Sequence, residues 1–482
     1  MKRYKKNILF FITLVSISQN SFTGPWSLPS QWWNTLNRYF YDFFTQKKTK
    51  ANVCSLFETL VKNSNHFADR APFPTTYNTI NKIANNDSTK KDVIAHDAQN
   101  TMIIMHKDVD ALLENFLTLK KEQGTTREKA VYGSLSKIDF IKRLIKQRPL
   151  MFMTAQDTYL LRDLTKGNGG FEYIGTSKEK EPLTLKNYIS YDEMELAALI
   201  GVSVPTYFIN NGNRYNQGIK GNPGTFLDHG IYVGLVGARF EKPNVMEWRH
   251  MVITPEQNRV INSNPLLSVW EEFYKTTFAT YAQAKNDCSG RFVKILGKNI
   301  YLDTYVYKKR LKMVIEPFML HANELGLKEN RKVYCHTVGL GLGVWQLDQE
   351  LQTGLMFDVY EQILKENTLP AISDIDFSYF SKKFNNLGSI KNNQQFTDNS
   401  NTITIHFSQR NPADPLMGNN AGKLLVAMYA WDSNSYPGNE YWNGALSASG
   451  DPAAACCSTI AELQNPEINE YLLSNEPLRY GK

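Results

Sequence analysis

Cysteine is scarce: the 482-residue chain has five, and no two of them form a Cys-x-x-Cys pair. An odd, scattered set (Cys54, Cys288, Cys335, Cys456 and Cys457) excludes a disulfide framework and a zinc ribbon or finger. A single bridge would need an oxidising compartment. Long apolar runs are missing too. The stretch Ile8 to Ile17 is too short to span a bilayer as a settled helix. It follows Lys2, Arg3, Lys5 and Lys6 and precedes Ser18, Ser21 and Gly24. That pattern reads as a secretory signal peptide over 1–24, with a short buried or anchoring helix as the plain alternative. A secreted or translocated protein without stable membrane insertion is expected. The net charge is +7, from 54 Lys and Arg against 47 Asp and Glu, with no dense basic stripe interleaved with aromatics. No nucleic-acid partner is therefore expected. No GxSxG, HExxH, P-loop or kinase set occurs. His229, His250, His336 and His406 stand singly, so neither a metal site nor a cofactor is expected.

What is present is globular, with 42% hydrophobic and 12% aromatic residues. The length suggests two units, or one large α/β domain with an added region. Residues 25–180 read as a mainly helical accessory region. Trp32, Trp33, Leu36, Tyr39, Phe40, Phe43 and Phe44 recur at helical spacing. Ala111–Lys121 and Ser136–Gln147 also read as helices. A polar linker, Lys166–Pro182, closes the region with Gly167, Gly169 and Gly170. From 188 to 482 short β-rich runs alternate with helical patterns. Gly230–Phe240, Trp248–Thr254, Lys332–Val338, Thr402–Phe407 and Lys423–Ala430 are predicted strands. Val306–Leu325 and Gln346–Glu366 are predicted helices. This alternation predicts an α/β domain, a layered sheet with flanking helices. The Asn- and Gln-rich gap Asn385–Asn401 reads as a surface loop.

Three segments carry chemistry. In Tyr334–Trp345 an apolar strand runs into Gly339, Gly341 and Gly343 and then a helix. Glycines allow close backbone approach, and a helix N-terminus offers free N–H groups, a combination that suits a pyrophosphate. A tight strand–helix turn would need the same residues. In Leu424–Asn439 a buried strand ends in Asp432 and Asn434, then a Pro437-Gly438 turn, Asn439 and Glu440. Polar groups leaving a strand's C-terminal end are where open α/β sheets bind ligands. Asp432 and Asn434 could equally be turn residues. Asp451-Pro452 opens an Ala-rich helix, where Asp451 could simply be the N-cap. The third segment, Tyr191–Glu195, places Asp192, Glu193 and Glu195 in a first helical turn, as dipole partners or as alternative carboxylates for catalysis.

Together these pieces resemble the microbial poly(ADP-ribose) glycohydrolase branch of the macrodomain superfamily in circularly permuted order. Ile231–Phe240 and Val252–Asn258 are similar to two of its strands, Gly339–Gly343 to its diphosphate loop, and Asp432–Glu440 to its Asn-strand and Pro-Gly loop, here placed last. Its consecutive triple glycine and Gln-Glu-Glu are absent. The run Trp431–Trp442 with Ser449–Pro452 also resembles the MavL type of atypical macrodomain from Legionella, whose activity is removal of ADP-ribose from an arginine of ubiquitin. These resemblances imply a macrodomain-like fold and an ADP-ribosylhydrolase. Its partners would be ADP-ribose or an ADP-ribosylated protein, ubiquitin included. They imply Asp432, Glu440 and Asp451 as the acidic groups, with Asp432 or Asp451 as base. Thr337, Gly339, Gly341, Gly343, Val344, Trp345, Asn434, Gly438 and Asn439 would contact ADP-ribose.

Three other readings stay open at the level of sequence. A non-catalytic ADP-ribose reader would keep the same cradle. An ADP-ribosyltransferase would need an Arg, Ser-x-Ser and Glu-x-Glu set, of which only Glu193-Met194-Glu195 is present. A structural or adhesive protein would bind no nucleotide at all.

Overall fold

The computed structural model describes residues 55–256, 264–397 and 401–481. The expected signal peptide, the aromatic stripe from Trp32 to Phe44, Cys54 and Asn258 lie outside them. Nine strands form the main sheet. In chain order they are β1 (Met102–His106), β2 (Ile200–Tyr207), β3 (His229–Leu235), β4 (Val333–Thr337), β5 (Ile372–Ser378), β6 (Gln394–Thr397), β7 (Thr402–Ser408), β8 (Leu424–Ala430) and β9 (Leu478–Tyr480). Their spatial order is β6-β7-β5-β4-β8-β3-β2-β1-β9. The five central strands β7, β5, β4, β8 and β3 run parallel. Their sequences explain this position. β8 reads Leu-Leu-Val-Ala-Met-Tyr-Ala and is buried along nearly all its length, as a strand covered on both faces must be.

Six helices matter to the site: α1 (Val109–Gln123), α2 (Lys137–Lys146), α3 (Tyr191–Ala197), α4 (Thr304–Glu329), α5 (Gln349–Glu366) and α6 (Gly450–Cys457). α4 packs against β1 and α5 and buries Val306, Leu311, Ile315, Phe318 and Met319. Each such side chain contributes about 1.5–3 kcal/mol by leaving water. Asp303 caps its start and Asn330, in the left-handed conformation, ends it. Among the described residues no helix is long and apolar enough to cross a membrane. The four described cysteines are all free.

The mixed α/β sheet agrees with the sequence expectation, with four differences. The stretch before 180 does not stand apart. β1 pairs with β2 and β9 inside the main sheet, and the chain from Phe57 onward is one compact unit. β1 is only five residues, Met-Ile-Ile-Met-His, and a short apolar run has no periodicity that separates strand from helix. Trp248–Thr254 is not one strand. Trp248–Met251 form a helical turn, and Val252–Ile253 join a separate three-stranded sheet with Tyr301–Asp303 and Phe292–Lys294. The predicted loop Asn385–Asn401 contains the edge strand β6, which is largely exposed and so lacks an apolar alternation. The linker Lys166–Pro182 begins as a strand, Lys166–Asn168, paired with Thr158–Leu160.

Candidate active site

The five parallel strands end on one side, and the loops leaving them enclose a cleft of about 860 Å3. Gly237 and Glu241 follow β3, Trp431 and Asp432 follow β8, and Val338 to Trp345 follow β4. Tyr379 and Phe380 follow β5, and Asn411 and Pro412 follow β7. From β4 the chain passes on to β5 on one side, whereas from its neighbour β8 it goes on to β9 at the opposite edge, so the connections leaving these two adjacent strands diverge. A reversal of strand order of this kind opens a crevice at the carboxyl ends of the strands, the usual ligand position in open α/β sheets. The glycine-rich loop and the acidic loop thus leave adjacent parallel strands and face one another.

The glycine loop is shaped by backbone contact. Gly341 has φ +69°, and a Cβ there would stand 2.7 Å from the Ala238 carbonyl oxygen. A Cβ on Gly237 would collide with the backbone of Leu340 and Gly341. At these two glycines the loop after β3 and the glycine loop touch main chain to main chain. Gly343 faces open space. The Phe240 N–H donates to the Trp345 carbonyl at 3.0 Å and holds the loop's far end. The expected helix does not follow at once. α5 starts at Gln349, and the Asp348 carboxylate accepts from the Leu351 N–H at 2.9 Å and caps it. The residues Val344–Leu347 form extra loop instead, so no free helix end follows the glycines directly. Gln349 and Thr353 of α5 still line the cleft.

The acidic loop gathers three carboxylates at the cleft wall: Asp432, Glu440 and Asp451. Burial, then the charge of Glu440, pushes Asp432 up to about 7, while Arg239 and the Asn439 amide pull it back. Asp451 is raised well above the usual carboxylate range by burial, then by Asp432 and Glu440. The three side chains therefore share fewer than three negative charges at neutral pH. Asp451 is not the N-cap of α6. That position is Ser449, which makes no side-chain cap bond. Instead Asp451 sits one residue inside α6 and reaches back to the Pro-Gly turn. Its oxygens accept from the N–H groups of Gly438 at 2.8 Å and Asn439 at 2.9 Å. Gly438 has φ +84°, which the turn requires. Glu440 accepts from the Ser449 hydroxyl at 3.2 Å.

Other expected site residues stand elsewhere. Thr337 is buried and its hydroxyl donates to the Asp376 carbonyl at 3.0 Å. Asn434, Gly438 and Asn439 lie behind the wall, and Asn439 holds the Phe152 backbone and Asp432. These four shape the site from beneath. Glu193 is buried in an ion pair with Arg143 at 2.6 Å and closes the capping box of α3. Glu195 is buried against Arg249 at 2.8 Å and His250 at 3.0 Å. Neither is among the residues that line the cleft. Among the described residues no group of three or more His, Cys, Asp or Glu is arranged to hold a metal ion.

The structure also adds residues. Met153 and Thr154, from the stretch read as an accessory region, line the cleft. Glu241 lines it too and accepts from Arg239 at 2.8 Å. No local pattern marks Thr154, whose carbonyl meets Arg239 across 85 positions of sequence.

The model of the MavL-like ADP-ribosylhydrolase family matches residues 58–481. Two Drosophila melanogaster proteins are similar over most of their length. The ADP-ribosylarginine hydrolase CG3568 is 36% identical over 398 residues, covering 78% of this chain and 77% of its own. The ADP-ribosylarginine hydrolase CG2909 is 34% identical over 386 residues, covering 76% of each. With the cleft and its acidic loop in place, the chain belongs to the MavL-like ADP-ribosylhydrolase family.

Proposed function

We propose that the protein hydrolyses the N-glycosidic bond joining ADP-ribose to an arginine side chain of a modified protein. One observation carries this reading: a glycine-rich backbone loop and three carboxylates face each other across a single cleft, on adjacent parallel strands. The arginine linkage is supported by the names of the two fly relatives. Ubiquitin modified on arginine is the carrier protein that the likeness of Trp431–Trp442 points to, and a permuted macrodomain is the fold relationship.

Such a bond breaks through an oxocarbenium-like state at the ribose anomeric carbon. Loop amides at Gly339, Gly341 and Gly343 hold the diphosphate in place, and Trp345 closes that end. Asp432 titrates near neutrality, so it can both take and return a proton at working pH. It draws the proton from the attacking water as the carbon–nitrogen bond opens. Asp432 then returns that proton to the departing guanidine nitrogen, and the water oxygen stays on the ribose anomeric carbon. Glu440 supplies negative charge for the cationic sugar. Asp451 fixes the turn that carries both groups, because its two oxygens already accept backbone N–H groups. The products are ADP-ribose and unmodified arginine.

The test is release of ADP-ribose from proteins carrying it on arginine, on glutamate or on serine, with arginine-modified ubiquitin included. Release from the arginine-linked substrates is expected. Tight binding of ADP-ribose without release from any of them would make the protein a reader, and consumption of NAD would make it a transferase.

A further inference from the structure

We propose that Arg239 is a positioning residue of this hydrolytic site, a guanidinium fixed behind the cleft wall that keeps Asp432 able to exchange its proton. The inference rests on the role given to Asp432 above. Arg239 leaves the end of β3 and is 3% exposed. Its guanidinium lies over the Phe152 ring at 5.1 Å and the Trp345 ring at 5.3 Å. Trp345 is itself cleft wall, so the arginine is clamped by the surface that meets the ligand. One edge of the fork is held: Nη2 donates to Glu241 at 2.8 Å and to the Thr154 carbonyl at 3.4 Å. The other edge is not. Nε and Nη1 are buried donors without a hydrogen-bond partner. Buried unpaired donors are rare, and a fold keeps them where they do something else.

The surrounding charges say what that is. Carboxylates dominate this part of the cleft: Glu241, Asp432, Glu440 and Asp451. Among the described residues, the charged groups acting most strongly on Asp432 are Glu440 and Glu241, which raise its proton affinity, and Arg239, which lowers it. Other groups near Arg239 are the Tyr191 hydroxyl, whose titration it lowers, and Glu247, which accepts from the Arg239 backbone N–H. The cations Arg214 and Lys383 that line the cleft have partners other than Asp432: Arg214 donates to the Ala448 carbonyl at 3.2 Å and Lys383 pairs with Glu350 at 3.0 Å. Without Arg239, Asp432 would stay protonated further above neutral pH and would no longer be a base there. A planar fork suits the slot between two rings, whereas a hydrated ammonium does not.

The bland alternative is an arginine that only fills space between two aromatic rings. The pH–rate profile of ADP-ribose release separates the two, measured for the parent, Arg239→Gln and Arg239→Lys, with melts and ADP-ribose titrations beside it. Arg239→Gln should move the limb governed by Asp432 upward by about 1 to 3 pH units, the usual effect of a close opposite charge. Its turnover at pH 7 should fall about tenfold or more, with little change in ADP-ribose affinity. Arg239→Lys should shift the same limb by a smaller step, and it is the variant to read if Arg239→Gln does not fold. An unmoved limb overturns the proposal, whether activity is kept or is lost through weaker ADP-ribose binding. Asp432→Asn in the same assay keeps the two readings apart. A fully active Asp432→Asn sinks the role of Asp432 itself. An inactive one beside an unmoved Arg239 profile sinks only the role of Arg239.

Discussion

The side chain of Asn439 binds both backbone groups of Phe152. Its Oδ1 accepts from the Phe152 N–H at 2.7 Å, and its Nδ2 donates to the Phe152 carbonyl at 3.0 Å. The same amide nitrogen reaches Asp432. One residue therefore ties the acidic loop to the ribbon formed by Met151–Met153, across 287 positions of sequence. An amide is the side chain for this task because it supplies a donor and an acceptor together.

Asn439→Ala should lower stability by about 1–3 kcal/mol, the usual result of leaving buried backbone groups unpaired. It should also slow turnover by about ten- to a hundredfold through misplacement of Asp432. Asn439→Asp should be worse, since it removes the donor and adds a carboxylate beside Asp432. Thermal melts and the ADP-ribose release assay measure the two effects. An Asn439→Ala protein that melts and turns over like the parent would remove the brace from the account.

Gly341 and Gly343 separate folding from binding. Gly341→Ala forces a Cβ onto the Ala238 carbonyl at positive φ, so it should lower the melting temperature and weaken ADP-ribose binding together. Gly343→Ala meets nothing and should melt like the parent. If the loop amides hold the diphosphate, the added methyl of Gly343→Ala should still weaken ADP-ribose binding, by about tenfold. Calorimetry checks this. Unchanged affinity in Gly343→Ala would move the diphosphate away from that part of the loop.

The acidic loop should show in stability as well as in rate. Asp432 titrates near 7 in the folded protein and near 3.9 when unfolded. The folded state therefore binds the proton more tightly between those values. This group's contribution to stability falls as pH rises from about 4 to about 7 and stays low above. Asp432→Asn removes that loss. The variant should melt above the parent at pH 8 and close to it at pH 4. Glu195 and Glu462, raised to about 8 and about 7 by burial, act in the same direction in both proteins, so the difference reports the acidic loop. A variant that melts below the parent at pH 8 would mean that Asp432 is held as a favourable charge.

Much of the frame was legible in the sequence because it is written locally. The near-continuous apolar run of β8, the turn glycines after β4, and the acidic group from Asp432 to Asp451 each announce a strand or loop by themselves. Their meeting at one edge follows once β4 and β8 are neighbours. Pairings across long sequence distance were not legible. Phe152 and Asn439 carry no mark of one another, and β1 has too few residues to show a period. The role of Asp451 was half-visible. Its place beside Pro452 suggested a helix cap, but the residue turns back to Gly438 and Asn439 because that buried turn has N–H groups to satisfy. The sequence leaves Asp192, Glu193 and Glu195 open as dipole partners or as alternative catalytic carboxylates. The cations that neutralise them, Arg143, Arg249 and Lys120, come from separate elements.

The measurement that bears most directly on the central claim is hydrolysis of an arginine-ADP-ribosylated protein by Asp432→Asn, beside its melt and its affinity for free ADP-ribose. The expected result is a folded protein that binds ADP-ribose nearly as the parent does and releases it from the substrate slower by roughly two orders of magnitude or more. Asp451→Asn, run in parallel, should lose stability as well as rate, because one of its two backbone partners is left without an acceptor. Release at the parental rate by a folded Asp432→Asn would contradict the account and leave the acidic loop a structural feature.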